Sequence, residues 1–254
     1  MSNLAPAVGF FVKVFEVLAT SPTPIGISEI SRRTEINKTM VSRILNTLEE
    51  EKWIQCDEKL CYSLTLLPFR LSSMALTRIT LVNSGNTFLQ KFWKEYGECT
   101  YLGILYHDEV LYLLHYDSLQ RVRVAGRVGE SYPLYCTAPG KVLLAFSDED
   151  YVEEYLSDRV LKRYTDTTLT KPDEIKKELR TIRERGYALD NEEFGKGTVC
   201  IAAPIYDYTQ SVIGVVGCSL STVYCSVDEV YDRCGAKLVQ TADQISRSLG
   251  YIPS

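Results

Sequence analysis

Two helical patterns separated by a very short turn are the feature that most constrains how this chain can fold. Residues 38–48 repeat apolar side chains at three- and four-residue intervals, as the buried face of a helix does. Residues 28–34 predict a shorter helix before them, with Ser28 as its N-cap, and Asn37 is suited to cap the second helix. Two such helices joined by a tight turn are the elements of a helix-turn-helix.

The segments around this pair predict a small domain with one hairpin. Residues 8–18 form an amphipathic helical pattern, which the proline- and glycine-rich run 21–26 ends. After the helix pair, residues 53–56 and 60–65 are two short β-prone runs around a polar tip. This arrangement predicts a hairpin, or wing, that completes an amino-terminal domain at residues 1–65.

The polar face of the second helix carries residue types that contact DNA. Arg43 can pair with guanine and Asn46 with adenine, each with about 1–3 kcal/mol of discrimination. Lys38 and Thr39, near the helix start, suit phosphate contacts. With the preceding helix and the wing tip, the predicted DNA contacts are Arg32, Arg33, Lys38, Thr39, Ser42, Arg43, Asn46 and Lys59. Three-helix units also dock other proteins, so the pattern alone leaves a docking role open.

The charge distribution favours a DNA-facing patch although the net charge is −5. Residues 31–46 carry four basic side chains against one acidic side chain, and residues 60–94 carry four basic side chains and no acid. Residues 95–254 carry 17 basic and 25 acidic side chains. The positive charge that faces phosphates is therefore expected only in the amino-terminal part of the chain.

Several protein classes are excluded by what the sequence lacks. There is no run of eighteen apolar residues, and the chain start has neither the basic nor the apolar region of a signal peptide. The eight cysteines are scattered without a Cys-x-x-Cys pair, which predicts reduced thiols. His107 and His115 have no zinc-ligand spacing, and hydrolase and nucleotide-binding motifs are absent. We expect a cytoplasmic protein without catalytic residues, metal or cofactor.

An acid-free apolar stretch, residues 66–84, follows the wing and predicts a linker helix. It has more apolar positions than one small domain can cover, which favours a second subunit as its partner. Residues 85–254 then alternate helical and β-prone segments, as in an α+β domain with a mixed sheet and flanking helices. Six tyrosines near these segments predict either an aromatic pocket or ordinary sheet and interface positions: Tyr101, Tyr106, Tyr112, Tyr116, Tyr132 and Tyr135.

Several motifs, in one order along the chain, resemble those of a known family. Residues 37–48, Asn-Lys-Thr-Met-Val-Ser-Arg-Ile-Leu-Asn-Thr-Leu, resemble the recognition helix of IclR-type transcriptional regulators, and the Tyr-Ser-Leu of 62–64 resembles the end of their wing. Residues 136–145 resemble the family's Thr/Ser-x-x-Gly-Lys-x-x-Leu-Ala segment. Residues 186–193 and 200–205 resemble its Gly-Tyr-x-x-Asp-x-Glu-Glu and Cys-x-Ala-x-Pro signature. The resemblance covers nearly the whole chain.

This resemblance implies a fold class and a set of partners. The implied fold is α+β, with an N-terminal winged helix-turn-helix (1–65), a helical linker (66–84) and a GAF-like mixed α/β effector-binding domain (85–254). The implied protein is a homodimer or a dimer of dimers that binds double-stranded DNA at a pseudo-palindromic operator. A small organic, carboxylate-bearing effector would alter that binding. The alternative class is a small-molecule enzyme, or a stand-alone sensor, with a vestigial N-terminal domain.

The resemblance also implies an effector site. Its residues are Ala138, Pro139, Gly140, Asp190, Cys200, Gly217 and Ser219. Backbone N–H groups at the predicted helix start, residues 138–140, suit a carboxylate, although Pro139 itself has none. Asp190 can accept a hydrogen bond from a ligand hydroxyl. Ordinary structural roles stay open for each position: a surface turn for Asp190, and the protein core for Cys200.

Overall fold

A computed structural model describes residues 5–76, 80–122, 124, 126–157 and 159–253, and the backbone alone for 73–76. The chain forms two compact units, one on each side of residues 77–79. Part of the predicted linker, 77–79, therefore lies outside the described residues. No helix in these described ranges is long and apolar enough to cross a bilayer.

The first unit combines helices with a small antiparallel sheet. Its helices are α1 (Pro6–Thr20), α2 (Ile27–Thr34), α3 (Lys38–Glu50) and α4 (Leu67–Leu76). Its strands are β1 (Ile25–Gly26), β2 (Ile54–Cys56) and β3 (Cys61–Leu64), in the order β1-β3-β2. The predicted helix-turn-helix and wing are confirmed by α2, α3 and the β2–β3 hairpin.

Of the two helix N-caps predicted in this unit, one is confirmed and the other is wrong. The Asn37 side chain caps α3 as predicted, because its Oδ1 accepts a hydrogen bond from the Met40 N–H at 2.9 Å. The prediction that Ser28 caps α2 is wrong: the helix begins at Ile27, and Gly26 precedes it without a side-chain cap. The physical reason is β1, whose pairing of Gly26 with Cys61 holds the chain extended up to the helix start.

Apolar side chains from all three leading helices and the wing form the core of the first unit. Its most buried members are Val14, Leu18, Ile30, Ile36, Val41, Leu45, Leu48 and Ile54. The three α3 members recur at positions 41, 45 and 48, so one face of that helix is committed to packing. The opposite face of α3 remains available for other contacts.

The second unit is built on a six-stranded sheet in the order β6-β5-β4-β9-β8-β7. The strands are β4 (Cys99–Tyr106), β5 (Glu109–Tyr116), β6 (Ser131–Pro133), β7 (Ala188–Asn191), β8 (Thr198–Tyr206) and β9 (Val212–Ser221). The expected mixed sheet is not observed, since all neighbouring strands pair antiparallel. Short hairpins join β4 to β5 and β8 to β9, and such connections produce antiparallel pairs.

Helices cover this sheet on two sides. They are α5 (Thr80–Tyr96), α6 (Ala138–Ala145), α7 (Glu149–Ser157), α8 (Pro172–Arg185), α9 (Val227–Val230) and α10 (Ala236–Ser248), with a π-helical turn at Tyr231–Gly235. Side chains such as Tyr101, Cys200 and Ala202 join the core formed with α6, α7 and α8. Successive side chains of a strand point to opposite faces of the sheet. Leu102 and Ile201 therefore lie on the other face, near Gly85 of α5 and near Gly235.

The predicted boundary between residues 84 and 85 lies inside α5. Gly85 does not mark a turn there; a Cβ atom at this position would lie 2.5 Å from Leu102 Cδ1, so glycine allows the helix to approach the sheet closely. All eight cysteines are free, and six of them are buried.

Candidate functional site

The exposed face of α3 presents the polar side chains predicted to contact DNA. Lys38, Thr39, Arg43 and Asn46 are exposed and Ser42 is half-buried, whereas Val41 and Leu45 on the other side are fully buried. Because the apolar positions hold the helix on α1 and α2, the polar ones are directed away from the core. The sequence-predicted α3 residues therefore share one accessible surface.

Two predicted phosphate contacts are engaged within α2. Glu29 binds both arginines: Arg32 Nη2 lies 2.5 Å and Arg33 Nε 2.8 Å from its carboxylate. Hydrogen bonds from Arg32 and then Arg33 lower the pKa of Glu29 to about 2. Such exposed pairs are weak, so phosphates can compete for the guanidinium groups. Lys38 and Arg43 make no ion pair with any described residue.

The wing tip is a tight turn organised by Asp57. Its Oδ1 accepts hydrogen bonds from the N–H groups of Lys59 at 2.9 Å and of Cys61 at 2.8 Å, while Leu60 takes a positive φ of 58°. The turn leaves the Lys59 side chain exposed at the end of the hairpin. This is the position expected of a wing residue that reaches a DNA groove.

A cavity of about 190 Å³ lies in the second unit, between the sheet and the start of α6. Four neighbouring strands contribute one polar row to its lining: Cys99 pairs with Ser219, Ser219 with Cys200, and Cys200 with Asp190. The other described lining residues are Tyr101, Tyr112, His115, Val124, Gly126, Tyr132, Thr137, Pro139, Phe194, Gly195 and Thr198. No lysine or arginine occurs among these described lining residues.

Aromatic rings form one wall of the cavity. Tyr101 stacks on Tyr112 with ring centroids 4.4 Å apart, and Tyr112 lies 4.7 Å from Tyr132. Phe194 meets Tyr132 edge-on at 5.7 Å. Three of the six tyrosines considered from the sequence are therefore cavity residues. Tyr106 is exposed at the end of β4. The remaining two, Tyr116 and Tyr135, hydrogen-bond elsewhere, to Asn86 and to the Lys162 carbonyl.

Most polar groups in the cavity are paired with one another. Cys200 Sγ lies 3.0 Å from Ser219 Oγ, and Cys99 Sγ lies 3.2 Å from His115 Nε2. Burial raises the pKa of Cys99 to about 12 and lowers the pKa of His115. This hydrogen bond therefore joins a neutral thiol to a neutral imidazole. Neither cysteine is a thiolate nucleophile in this environment.

Asp190 is the acidic group of the cavity. It is only 3% exposed, and its Oδ1 accepts a hydrogen bond from the Glu193 N–H at 2.7 Å. Burial, and secondly the neighbouring Glu193 carboxylate, raise the pKa of Asp190 to about 7. Glu193 in turn forms a buried ion pair with Lys141. Asp190 can thus accept or donate a hydrogen bond near neutral pH, depending on its protonation state.

Asp190→Asn is expected to remove a specific pH dependence of stability. The folded protein holds a proton on Asp190 up to about pH 7, whereas an ordinary aspartate loses it near pH 3.8. The folded state therefore binds more protons between these values, and its free energy of unfolding falls by up to about 1.4 kcal/mol per pH unit as the pH rises.

The measurement is urea unfolding of the wild type and Asp190→Asn from pH 4 to pH 8. Asparagine keeps the acceptor for the Glu193 N–H, so the variant should equal the wild type near pH 4 and exceed it above pH 7. Equal pH profiles for the two proteins would show that Asp190 titrates normally.

The structure brings four of the seven predicted effector residues to the cavity: Pro139, Asp190, Cys200 and Ser219. The other three stand beside it. Gly140 donates its N–H to Thr137 Oγ1 at 3.2 Å, so this group is already used in capping α6. Gly217 lies beneath the Tyr101 ring, and Ala138 is fully buried at the start of α6.

Sequence reasoning missed Cys99, His115, Thr137 and Phe194 as cavity residues. The pairing of Cys99 with Ser219, which are 120 positions apart, is set by the register of β4 against β9. Only Thr137 carried a usable signal, since a threonine followed by Ala-Pro-Gly is typical of an N-cap.

Two family models match the chain and together cover most of it. The IclR helix-turn-helix domain matches residues 12–58, and the C-terminal domain of the bacterial transcriptional regulator IclR matches residues 73–247. The chain belongs to the IclR family. It is a DNA-binding transcriptional regulator of that family, whose members are regulators and not enzymes, so the enzyme alternative is set aside.

Individual relatives agree with this assignment along the full length. The HTH-type transcriptional regulator KdgR of Escherichia coli is 35% identical over 248 residues, which cover 96% of this chain and 94% of KdgR. The crystal structure of Thermotoga maritima IclR superposes with a TM-score of 0.80 at 28% identity, covering 97% and 99% of the two chains.

A more distant neighbour shares the fold alone. An IclR homologue from Microbacterium hydrocarbonoxydans, solved in complex with 4-hydroxybenzoate, has a TM-score of 0.83 at 22% identity and covers 96% of this chain and 99% of its own.

Proposed function

We propose that this regulator reads a pseudo-palindromic operator with α3 and the wing, as a homodimer or a dimer of dimers. We further propose that a small organic, carboxylate-bearing effector in the cavity of the second unit alters operator binding. The observation that carries the proposal is the division of α3 into a buried apolar face and an exposed face of cationic, hydroxyl and amide side chains.

Within this proposal, each predicted contact residue of α3 has a chemical role. Arg43 donates to guanine and Asn46 pairs with adenine, since both side chains offer the required bidentate geometry. Lys38, Thr39 and Ser42 contact phosphates or nearby base edges. The two α2 arginines exchange Glu29 for phosphate, and Lys59 enters the adjacent groove from the wing.

The cavity supports the regulatory half of the proposal. It is concave, largely apolar and lined by a few polar groups, as small-molecule sites generally are. A ligand controls the protein only if it binds one arrangement more tightly than another, and a tenfold preference shifts that equilibrium by about 1.4 kcal/mol. The neighbour that was crystallised with 4-hydroxybenzoate makes this compound a suitable first probe.

Arg43→Ala is expected to weaken operator binding about tenfold to a hundredfold, because a bidentate base contact contributes about 1–3 kcal/mol. The measurement is a fluorescence-anisotropy titration of the full chain with DNA from its own upstream region, at several salt concentrations. A regulator that contacts many phosphates loses affinity steeply as salt rises.

Lys177→Ala is the matched control, since it also removes one exposed positive charge but from α8 in the second unit. This variant should bind DNA like the wild type. Unchanged affinity in Arg43→Ala would contradict the assignment of α3 as the recognition helix. Effector binding should be unaffected in both variants.

A further inference from the structure

Two buried thiol groups meet in the second unit, on the face of the sheet that is turned away from the cavity. Cys218 of β9 is completely buried, and Cys234 of the π-helical turn is only 2% exposed. The two thiols share a hydrogen bond. One lies in a strand and the other in a helical turn, so their contact is made by the packing of these elements.

The residue after Cys234 explains how the turn reaches the sheet. Cys218 pairs across β8 and β9 with Ile201, so both side chains lie on the same face. A Cβ atom at Gly235 would lie 2.5 Å from Ile201 Cδ1. Glycine therefore allows the turn to lie directly against the strand pair that carries Cys218. π-Helical turns of this kind occur frequently at functional sites.

Cys234 differs from the other buried cysteines in its electrostatic environment. The hydrogen bond from Cys218 lowers the pKa of Cys234 in spite of its burial, and the neighbouring Arg233 acts in the same direction. A thiol with a lowered pKa beside a second thiol is typical of redox-reactive cysteines. Burial instead raises the pKa of the other five, which are Cys99, Cys136, Cys200, Cys218 and Cys225.

A short and mostly exposed loop, residues 222–226, lies against the turn that carries Cys234. Arg233 fixes the loop to the turn, because its Nη1 donates to the Tyr224 carbonyl at 2.6 Å. Val223 in this loop is 68% exposed. Hydrogen peroxide is scarcely larger than a water molecule, so a local opening of the loop is sufficient to admit it to Cys234.

We propose that Cys218 and Cys234 are an oxidation site for hydroperoxides and close to a reversible disulfide. The Cys234 thiolate attacks one oxygen of the hydroperoxide, the O–O bond breaks, and the other oxygen takes up a proton and leaves as an alcohol, or as water from hydrogen peroxide. Cys218 then attacks the sulfur of the resulting Cys234 sulfenic acid. The S–S bond forms, the S–O bond breaks, and water leaves with the Cys218 proton.

The other nearby thiols are arranged less well for this reaction. Cys225 lies close to Cys234, but its thiol donates to the Ser226 carbonyl at 3.3 Å. Cys56 and Cys61 of the wing are more exposed but lie on opposite faces of the hairpin. Cys56 pairs with Tyr62, whereas Cys61 faces Gly26 of β1. Exposure alone therefore does not determine which cysteines can be joined.

Peptide mapping of the oxidised full chain tests the inference. The reduced protein is treated with hydrogen peroxide, its remaining thiols are alkylated in denaturant, and trypsin is added. Cleavage after Lys196, Arg233 and Lys237 places Cys234 in the peptide 234–237 and Cys218 in the peptide 197–233. We expect the two peptides to be joined, with two hydrogen atoms fewer than their sum, and fragmentation to assign the bond to Cys218. Dithiothreitol should separate them again.

Cys225→Ser is the matched control for Cys218→Ser. Both variants remove a buried cysteine near Cys234 from the peptide 197–233, which also contains Cys200. The joined peptides should be absent from Cys218→Ser and as abundant in Cys225→Ser as in the wild type. Because fragmentation of the wild-type product identifies the partner directly, the result does not depend on the folding of either variant.

Three results would overturn the inference. They are an alkylated Cys234 in the wild type after about tenfold molar excess of peroxide, a bond that fragmentation assigns to Cys200 or Cys225, and joined peptides that dithiothreitol does not separate. The inference goes beyond the proposed function, because neither the operator nor the effector takes part in it. Operator titrations with the reduced protein test the regulator separately.

Discussion

Replacing Lys141 with alanine is expected to lower the free energy of unfolding of the second unit by about 3–5 kcal/mol, the cost of breaking a buried ion pair by removing one partner. Lys141 is 1% exposed and its ammonium group binds Glu193, which is itself buried. Glu193 Oε2 already has no hydrogen-bond partner among the described residues. The variant would leave the Glu193 carboxylate beside Asp190 without a positive charge.

Fluorescence of Trp93 during urea unfolding measures this effect. Trp93 lies in α5 of the second unit, and a Trp53→Phe background removes the signal of the first unit. Lys171→Ala is the control for charge removal, since its pair with Glu174 is exposed and should contribute less than about 1 kcal/mol.

A double variant, Lys141→Met with Glu193→Leu, tests whether the lost stability comes from an unpaired buried charge. Apolar residues of similar volume avoid the cost of burying either charge, so most of the lost stability should return. A loss below about 1 kcal/mol in Lys141→Ala would mean that Glu193 takes up a proton or is reached by water, and the ion pair would then contribute little to the fold.

Gly140→Ala is the second substitution for which we expect a large effect, a loss of at least about 3 kcal/mol, at the upper end of the cost of overpacking. A Cβ atom at Gly140 would overlap the backbone of Leu134. Leu134 cannot move easily, because it is fully buried and its N–H donates to the Tyr155 hydroxyl at 3.2 Å. Helix α6 would therefore have to shift away from its position beside the cavity.

Differential scanning calorimetry of Gly140→Ala and Gly195→Ala gives the comparison. A Cβ atom at Gly195 meets no atom within 4 Å, so this control should stay within about 0.5 kcal/mol of the wild type. A small effect of Gly140→Ala would show that α6 is loosely packed. A large one would assign Gly140 to helix packing, in agreement with the use of its N–H in the Thr137 cap.

The local sequence pattern was sufficient to predict most of the first unit. The three- and four-residue spacing of its apolar positions determined which side of α3 is buried, and the Asn37 cap marked the helix start. The pairing of Glu29 with both arginines is also local, at three and four residues along α2. An acidic residue three and four positions before two arginines is a pattern that the sequence itself contains.

The cavity of the second unit could not be predicted in the same way, because it is formed by contacts between distant parts of the chain. The motif resemblance named Asp190, Cys200 and Ser219, but the row that they form with Cys99 cannot be derived from spacing. Strand β1 could not be predicted from local pattern either, because its two residues form a strand only where the wing pairs with them.

The sequence by itself therefore determined the family, the helix-turn-helix and the face of α3 that is exposed. The tertiary structure alone decided which side chains meet in the cavity. The physical reason is the range of the interactions. The faces of a helix follow from a period of 3.6 residues within one segment, whereas cross-strand neighbours depend on register between strands that are far apart in the chain.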